Sequence, residues 1–154
     1  MKLRIAAVGR LKEPHWRAAC DEYLKRLRPY ATVEVIEVAD RDISHDAAKA
    51  VAAEGADLLK AIPERSYVVA LDLSGPQMTS TALAEHLAEL LVRRRSDLTF
   101  VVGGCAGLAP DVVARADERL SLSKMTLPHQ LARVVLLEQV YRAFRIMRNE
   151  PYHL

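Results

Sequence analysis

Two short apolar runs, residues 67–73 and 98–102, constrain this chain more than any other feature. Neither alternates clearly in polarity, so each reads as a strand covered on both faces, and such strands belong to parallel sheets with helices above and below. The flanking segments agree. Residues 2–8 form a strand closed by Gly9, and residues 32–38 alternate through Val33, Val35 and Ile36 as another. Helical stretches lie between. Residues 13–28 have Pro14 in the first turn and Pro29 as the stop, and a helix capped by Ser44 or Asp46 runs to about Ile62, before Pro63. A third opens at Thr79 or Ser80 and ends in Arg93, Arg94 and Arg95, where cations suit the negative end of the helix dipole. Residues 110–116 make a short helix, a brief strand follows near Leu120, and residues 131–148 make the last helix. The pattern predicts an α/β fold, a largely parallel sheet flanked by helices, with ligands at the carboxyl ends of the strands.

With 154 residues, 51% of them hydrophobic and 27% charged, the expectation is one domain over residues 1–154 with a real core. No run approaches the roughly 18 apolar residues of a membrane span. Residues 1–8 are too short and too soon charged for a signal peptide, so a cytoplasmic protein with no membrane partner is expected. Cys20 and Cys105 are far apart, with only His15 near the first, which suggests neither a disulfide framework nor a metal site. The net charge of +2 hides a distribution: residues 1–30 carry eight Lys/Arg against three Asp/Glu, residues 31–114 seven against thirteen, and residues 115–154 seven against four. If the basic ends meet they form a positive patch suited to a phosphate backbone; solvated helix faces are the plainer alternative.

A dinucleotide fingerprint would follow the first strand, and that position holds only Gly9. The glycines instead follow the 98–102 strand, as Gly103, Gly104 and Gly107, where backbone amides can approach a ligand or simply make a tight turn. The same residues spell Gly-x-Cys-x-Gly, which suggests a hydrolase with Cys105 as nucleophile, Asp111 or Asp117 as orienting group and His129 as base. His129, after Pro128, equally reads as a residue at a helix start. In the last helix Glu138, Arg142, Arg145 and Asn149 share one face and apolar residues cover most of the rest, so the helix must be buried on several sides; that suggests a subunit interface as well as a core, with the central helix of a monomer as the alternative.

Beyond these local readings, a set of motifs runs in order along the chain. They are the Ala7-Val8-Gly9 turn, Leu71-Asp72, Gly103-Gly104-x-x-Gly107-Leu108, the 122–129 loop, Val140-Tyr141-Arg142-Ala143-Phe144 and the terminal Tyr152-His153. Together they resemble the ribosomal large-subunit pseudouridine N3-methyltransferases, the small SPOUT-class enzymes of bacteria. The resemblance implies a deep C-terminal trefoil knot and a homodimer whose knots face each other. It also implies S-adenosylmethionine held by Leu71, Gly103, Leu122, Ser123, Lys124, Met125, Thr126 and Leu127, without a metal. The implied substrate is the pseudouridine in helix 69 of 23S rRNA, within the assembled ribosome. Its N3 must lose a proton before or as it attacks the methyl carbon. His153 is the candidate to help or to position, Tyr152 to orient the base, and Arg142 to offer positive charge. Ala106 stands where relatives often carry a polar residue, and Leu154 where they tend to place a basic one. A non-catalytic ribosome-binding module is the other class of function open to such a chain.

Overall fold

The computed structural model describes residues 1–153; Leu154, with the expectation attached to it, lies outside the described residues. In chain order the elements are β1 (Lys2–Val8), α1 (Pro14–Leu27), β2 (Thr32–Val38), α2 (Ala47–Ala61), β3 (Tyr67–Leu71), α3 (Ser80–Val92), β4 (Asp97–Val102), α4 (Pro110–Arg115), β5 (Glu118–Leu120) and α5 (His129–Met147). The five strands form one sheet in the order β2-β1-β4-β3-β5, and every pairing is parallel.

Alternation along the central strands divides the core in two. Leu3, Ile5 and Ala7 of β1 and Leu98, Phe100 and Val102 of β4 face one side, beneath α1, α3 and α5. Ala6 and Val8 of β1, Val101 of β4 and Val68 of β3 face the other, beneath α2 and α4. Coverage on both faces is why β1, β3 and β4 read as nearly continuous apolar runs. On the first face α5 lies between α1 and α3, and no residue along it is classed as exposed.

Two buried arginines fasten the sheet. Arg4, in the centre of β1, meets Asp97 at 2.6 Å and Glu34 at 3.2 Å, and Asp97 also accepts the Ser66 hydroxyl. The hydrogen bond from Arg4 holds the Asp97 carboxyl below its usual range. Arg133, in the first half of α5, donates to Glu37 at 2.9 Å and to the Gly9 carbonyl at 3.1 Å, tying α5 to the ends of β1 and β2. Nothing in the sequence pattern signalled that either arginine is internal.

Three boundaries differ from the sequence reading, each for a local reason. β3 stops at Leu71, because Asp72 turns the chain with its carboxylate accepting the Ser74 N–H and its carbonyl accepting the Gly75 N–H. α3 ends at Val92, where Arg94 adopts φ 59° and the N–H groups of Arg94 and Arg95 return to the Leu91 and Leu90 carbonyls. The arginine run therefore lies beyond the last turn, not within it. α5 starts at His129 and ends the same way as α3. Asn149 takes φ 53°, and the N–H groups of Asn149 and Glu150 bond to Ile146 and Arg145. Asn149 is thus the cap that reverses the chain and not a member of the Glu138-Arg142-Arg145 face.

Because Asn tolerates the left-handed conformation better than Ala does, Asn149→Ala is expected to cost about 1 kcal/mol, with Asn149→Gly neutral or stabilising. Urea unfolding midpoints of the two variants check this.

Candidate active site

The strands β3, β4 and β5 end side by side, and their carboxyl ends open into a cavity of about 720 Å³. Its floor is the glycine run after β4. A Cβ on Gly103 would come within 2.8 Å of the Gly107 carbonyl carbon and 2.9 Å of its oxygen. The loop can fold back so tightly only because residue 103 has no side chain. Gly107 itself takes φ 83° and its N–H bonds to the Gly104 carbonyl, which closes a turn with Cys105 and Ala106 at its exposed tip.

The opposite wall is the loop that leaves β5. The Ser121 N–H reaches the Pro76 carbonyl, the Ser121 hydroxyl donates to the Ser123 carbonyl at 2.8 Å, and the Ser123 hydroxyl accepts the Met125 N–H at 2.9 Å. Of the eight residues expected around a methyl donor, seven line this one cavity: Leu71, Gly103, Leu122, Ser123, Met125, Thr126 and Leu127. Lys124, between two of them, is exposed and is not part of the wall. Among the described residues no Lys or Arg lines the cavity, and Asp72 is its single carboxylate.

Arg142, Tyr152 and His153 form a second cluster, and none of them lines the cavity. Glu138 is its hub: one carboxylate oxygen accepts Arg142 at 2.6 Å and the Tyr152 hydroxyl at 3.2 Å, and the other accepts the Gln139 amide at 2.7 Å. Gln139 in turn accepts the Ser80 hydroxyl at 2.6 Å, which links the cluster to the start of α3. Tyr152 packs edge-on against Tyr141 at 4.8 Å with the Arg142 guanidinium 4.7 Å from its ring centre, and Arg145 holds the Pro151 carbonyl at 2.9 Å. The tail to His153 is therefore docked rather than frayed. Arg142 lies 3.3 Å from His153 Nδ1, and a guanidinium only donates. Nδ1 is then the acceptor, which leaves Nε2 as the N–H donor of the neutral ring. Thirteen residues of helix separate His129, at the cavity, from Arg142, a rise of about 20 Å at roughly 1.5 Å per residue.

The two basic ends of the sequence do meet, since α1 packs on α5, but several of their cations are already matched: Arg26 with Glu22, Arg142 with Glu138, Arg145 with Glu150. The hydrolase pair also comes together, with Cys105 Sγ 3.7 Å from His129 Nδ1 on the cavity rim. Its proposed third member is absent. Asp117 spends its carboxylate on the Val68 N–H at 2.7 Å, and Asp111 is exposed in the first turn of α4.

A parallel sheet with a glycine floor and an apolar loop at its carboxyl edge defines a class of small-molecule-binding α/β proteins, and comparison with known proteins specifies which. Residues 1–153 match the family described as "Predicted SPOUT methyltransferase", and the chain belongs to that family. Curated relatives cover 99% of this chain and 99% of their own length. Ribosomal RNA large subunit methyltransferase H of Carboxydothermus hydrogenoformans and that of Halothermothrix orenii are each 46% identical, and one from Clostridium perfringens is 45% identical. Two solved structures share the fold at low identity. The tRNA (m1G37) methyltransferase of Aquifex aeolicus has a TM-score of 0.59 at 15% identity, over 100% of this chain and 75% of that one. A probable methylase family protein of Haemophilus influenzae has a TM-score of 0.56 at 14%, over 96% and 66%. Family membership and the missing third group together remove the hydrolase reading.

Burial, and next the negative charge of Glu138, pushes the Tyr152 phenol up to about 12. Since that lies above the ordinary value of 10, the phenol's contribution to tail docking is complete below pH 10 and is lost as pH rises toward 12. Tyrosinate absorbance should show a late-titrating component that shrinks in Tyr152→Phe, with Tyr67, which burial also raises, supplying the remainder.

Proposed function

We propose that this methyltransferase uses S-adenosylmethionine to methylate large-subunit ribosomal RNA, as one domain working in a homodimer. The cavity at the ends of β3, β4 and β5 is the observation that carries the reading. Its glycine floor and its Leu122 to Leu127 wall offer backbone hydrogen bonds and apolar packing, and its lack of lining cations suits a positively charged ligand. Bound there, the donor supplies an electrophilic methyl group on sulfur. The residue-level match to relatives named for ribosomal RNA gives the substrate class. The finer assignment, N3 of the pseudouridine in helix 69 on the assembled ribosome, rests on the motif resemblance, as does a knot threaded through the C-terminal half.

The chain's own residues divide the work. The cavity walls hold the donor and exclude water from the reacting carbon, while Arg142, Tyr152 and His153 receive the RNA. Tyr152 offers an aromatic ring beside a cation, a combination suited to a splayed base, and Arg142 places positive charge beside a uracil that is losing its N3 proton. His153, with Nδ1 engaged by Arg142, positions the base as a donor from Nε2 rather than removing the proton. Arg142 stands about 20 Å along α5 from His129 at the cavity of its own chain, a gap that closes when each cavity is completed by the tail of the second protomer.

Titration calorimetry with S-adenosylmethionine tests the cofactor, and Ala132→Phe, which adds a ring to the cavity wall, should weaken binding at least tenfold in a folded protein. Truncation after Glu150 should leave donor binding intact and abolish methylation of ribosomes. Mixing the truncated chain with Ala132→Phe should restore part of the activity, because one cavity in a mixed dimer then has both an open wall and a tail. Absence of restored activity would place tail and cavity of one reaction on the same chain.

A further inference from the structure

Among the described residues the cavity wall holds one fixed charge. Asp72 immediately follows Leu71, the last residue of β3, and its own N–H bonds to the Leu120 carbonyl at 3.0 Å, so the backbone that carries it is pinned between two strand ends. Its carboxylate is occupied on both oxygens. One accepts the Ser74 N–H at 3.1 Å and the other accepts the Ser74 hydroxyl at 3.0 Å. These bonds, led by the backbone N–H, hold the carboxyl below its ordinary range and keep it ionised at neutral pH. The nearest cation is Arg119, 3.6 Å away. Arg119 is itself well exposed, donates to the Ser74 hydroxyl and does not line the cavity, so water screens it more than it screens the cavity interior.

The chemistry of methyl transfer gives such a charge a task. The donor is a sulfonium cation. When the nitrogen lone pair forms its bond to the methyl carbon, the carbon–sulfur pair returns to sulfur, the proton leaves the nitrogen, and what stays in the cavity is the neutral thioether, S-adenosylhomocysteine. Donor and product share every hydrogen-bonding group and nearly all their surface. Glycine amides and leucine side chains therefore grip both alike, and a charge, an oriented carbonyl dipole or a contact to the methyl itself distinguishes them.

We propose that Asp72 is the residue that sets the preference of this cavity for the cationic sulfonium donor over its neutral thioether product. The proposal rests on the S-adenosylmethionine reading above. Asp72 acts on the sulfonium through its field rather than by a hydrogen bond, because a sulfonium centre has no N–H or O–H to donate. The absence of lining Lys or Arg among the described residues leaves that field unopposed within the wall. The preference eases product release as well, since the attraction ends when the methyl group departs.

Asp72→Asn separates charge from structure. The amide oxygen of Asn still accepts the Ser74 N–H, so the turn after β3 is retained while the charge is removed. Calorimetry on the dimer, with S-adenosylmethionine and S-adenosylhomocysteine in parallel, should show donor affinity falling about fivefold while product affinity holds, so that the ratio of the two moves toward product. Ser74→Ala, which weakens the turn and keeps the charge, should leave that ratio where the wild type has it. Equal loss for both ligands in Asp72→Asn would reduce Asp72 to a turn residue, and no change for either would overturn the proposal alone. A wild-type protein that binds neither nucleoside would overturn the cofactor reading, and this proposal with it.

Discussion

A helix of nineteen residues with none exposed must be fastened by more than apolar contact, and α5 is fastened by Arg133. Its guanidinium is nearly removed from water and meets Glu37 and the Gly9 carbonyl, so α5 is held to the ends of β1 and β2 as well as to α1 and α3. Removing one partner of such a pair leaves a buried charge and costs about 3–5 kcal/mol, whereas sliding α5 along the sheet breaks both contacts at once. The register of α5 decides everything functional. Its first turn closes the cavity through His129 and Ala132, and from its midpoint onward it carries Glu138, Arg142 and the reversed tail.

The two ends of α5 are built by different physics. At the cavity end, precision comes from what is missing: with a side chain on Gly103 the loop could not approach Gly107, and the pocket floor would not exist. At the tail end, precision comes from a satisfied polar network running from Ser80 through Gln139 and Glu138 to Arg142, Tyr152 and His153. A glycine floor tolerates ligands whose contacts are mainly backbone and apolar. A charged, aromatic surface instead suits a nucleic acid.

Much of this was legible in the sequence because it is periodic or local. Uninterrupted apolar runs identified β3 and β4 as doubly covered, and Asp46, Thr79 and Pro63 marked helix ends that the structure reproduces. The cavity residues were legible only as a set of motifs, since glycines and leucines carry no chemistry of their own. What escaped depends on partners distant in sequence. Arg133 and Arg4 look like any charged residue until Glu37 and Asp97 are brought to them across 96 and 93 positions. The docked tail depends on one residue, Asn149, whose left-handed turn aims Pro151 and Tyr152 back along α5. Spacing alone placed Asn149 on the helix face; the cap geometry placed it at the end.

The Cys105 and His129 pair shows why proximity is weaker than arrangement. The sequence suggested a nucleophile and a base, and the fold brings sulfur and imidazole to 3.7 Å. Catalysis by such a pair also needs a group that fixes the imidazole and donors for an oxyanion, and the carboxylate expected for the first is committed to the Val68 N–H. Cys105 lies at the tip of an exposed turn, not at a sharp passage from strand into helix, because seven residues, Gly103 to Ala109, separate the end of β4 from the start of α4. What the same turn does supply is backbone closeness beside a wall whose one charge is negative, and that combination suits a sulfonium donor better than an acyl group. The residues that look reactive are thus part of the rim, and behind them the cavity presents glycines, leucines and the Asp72 carboxylate.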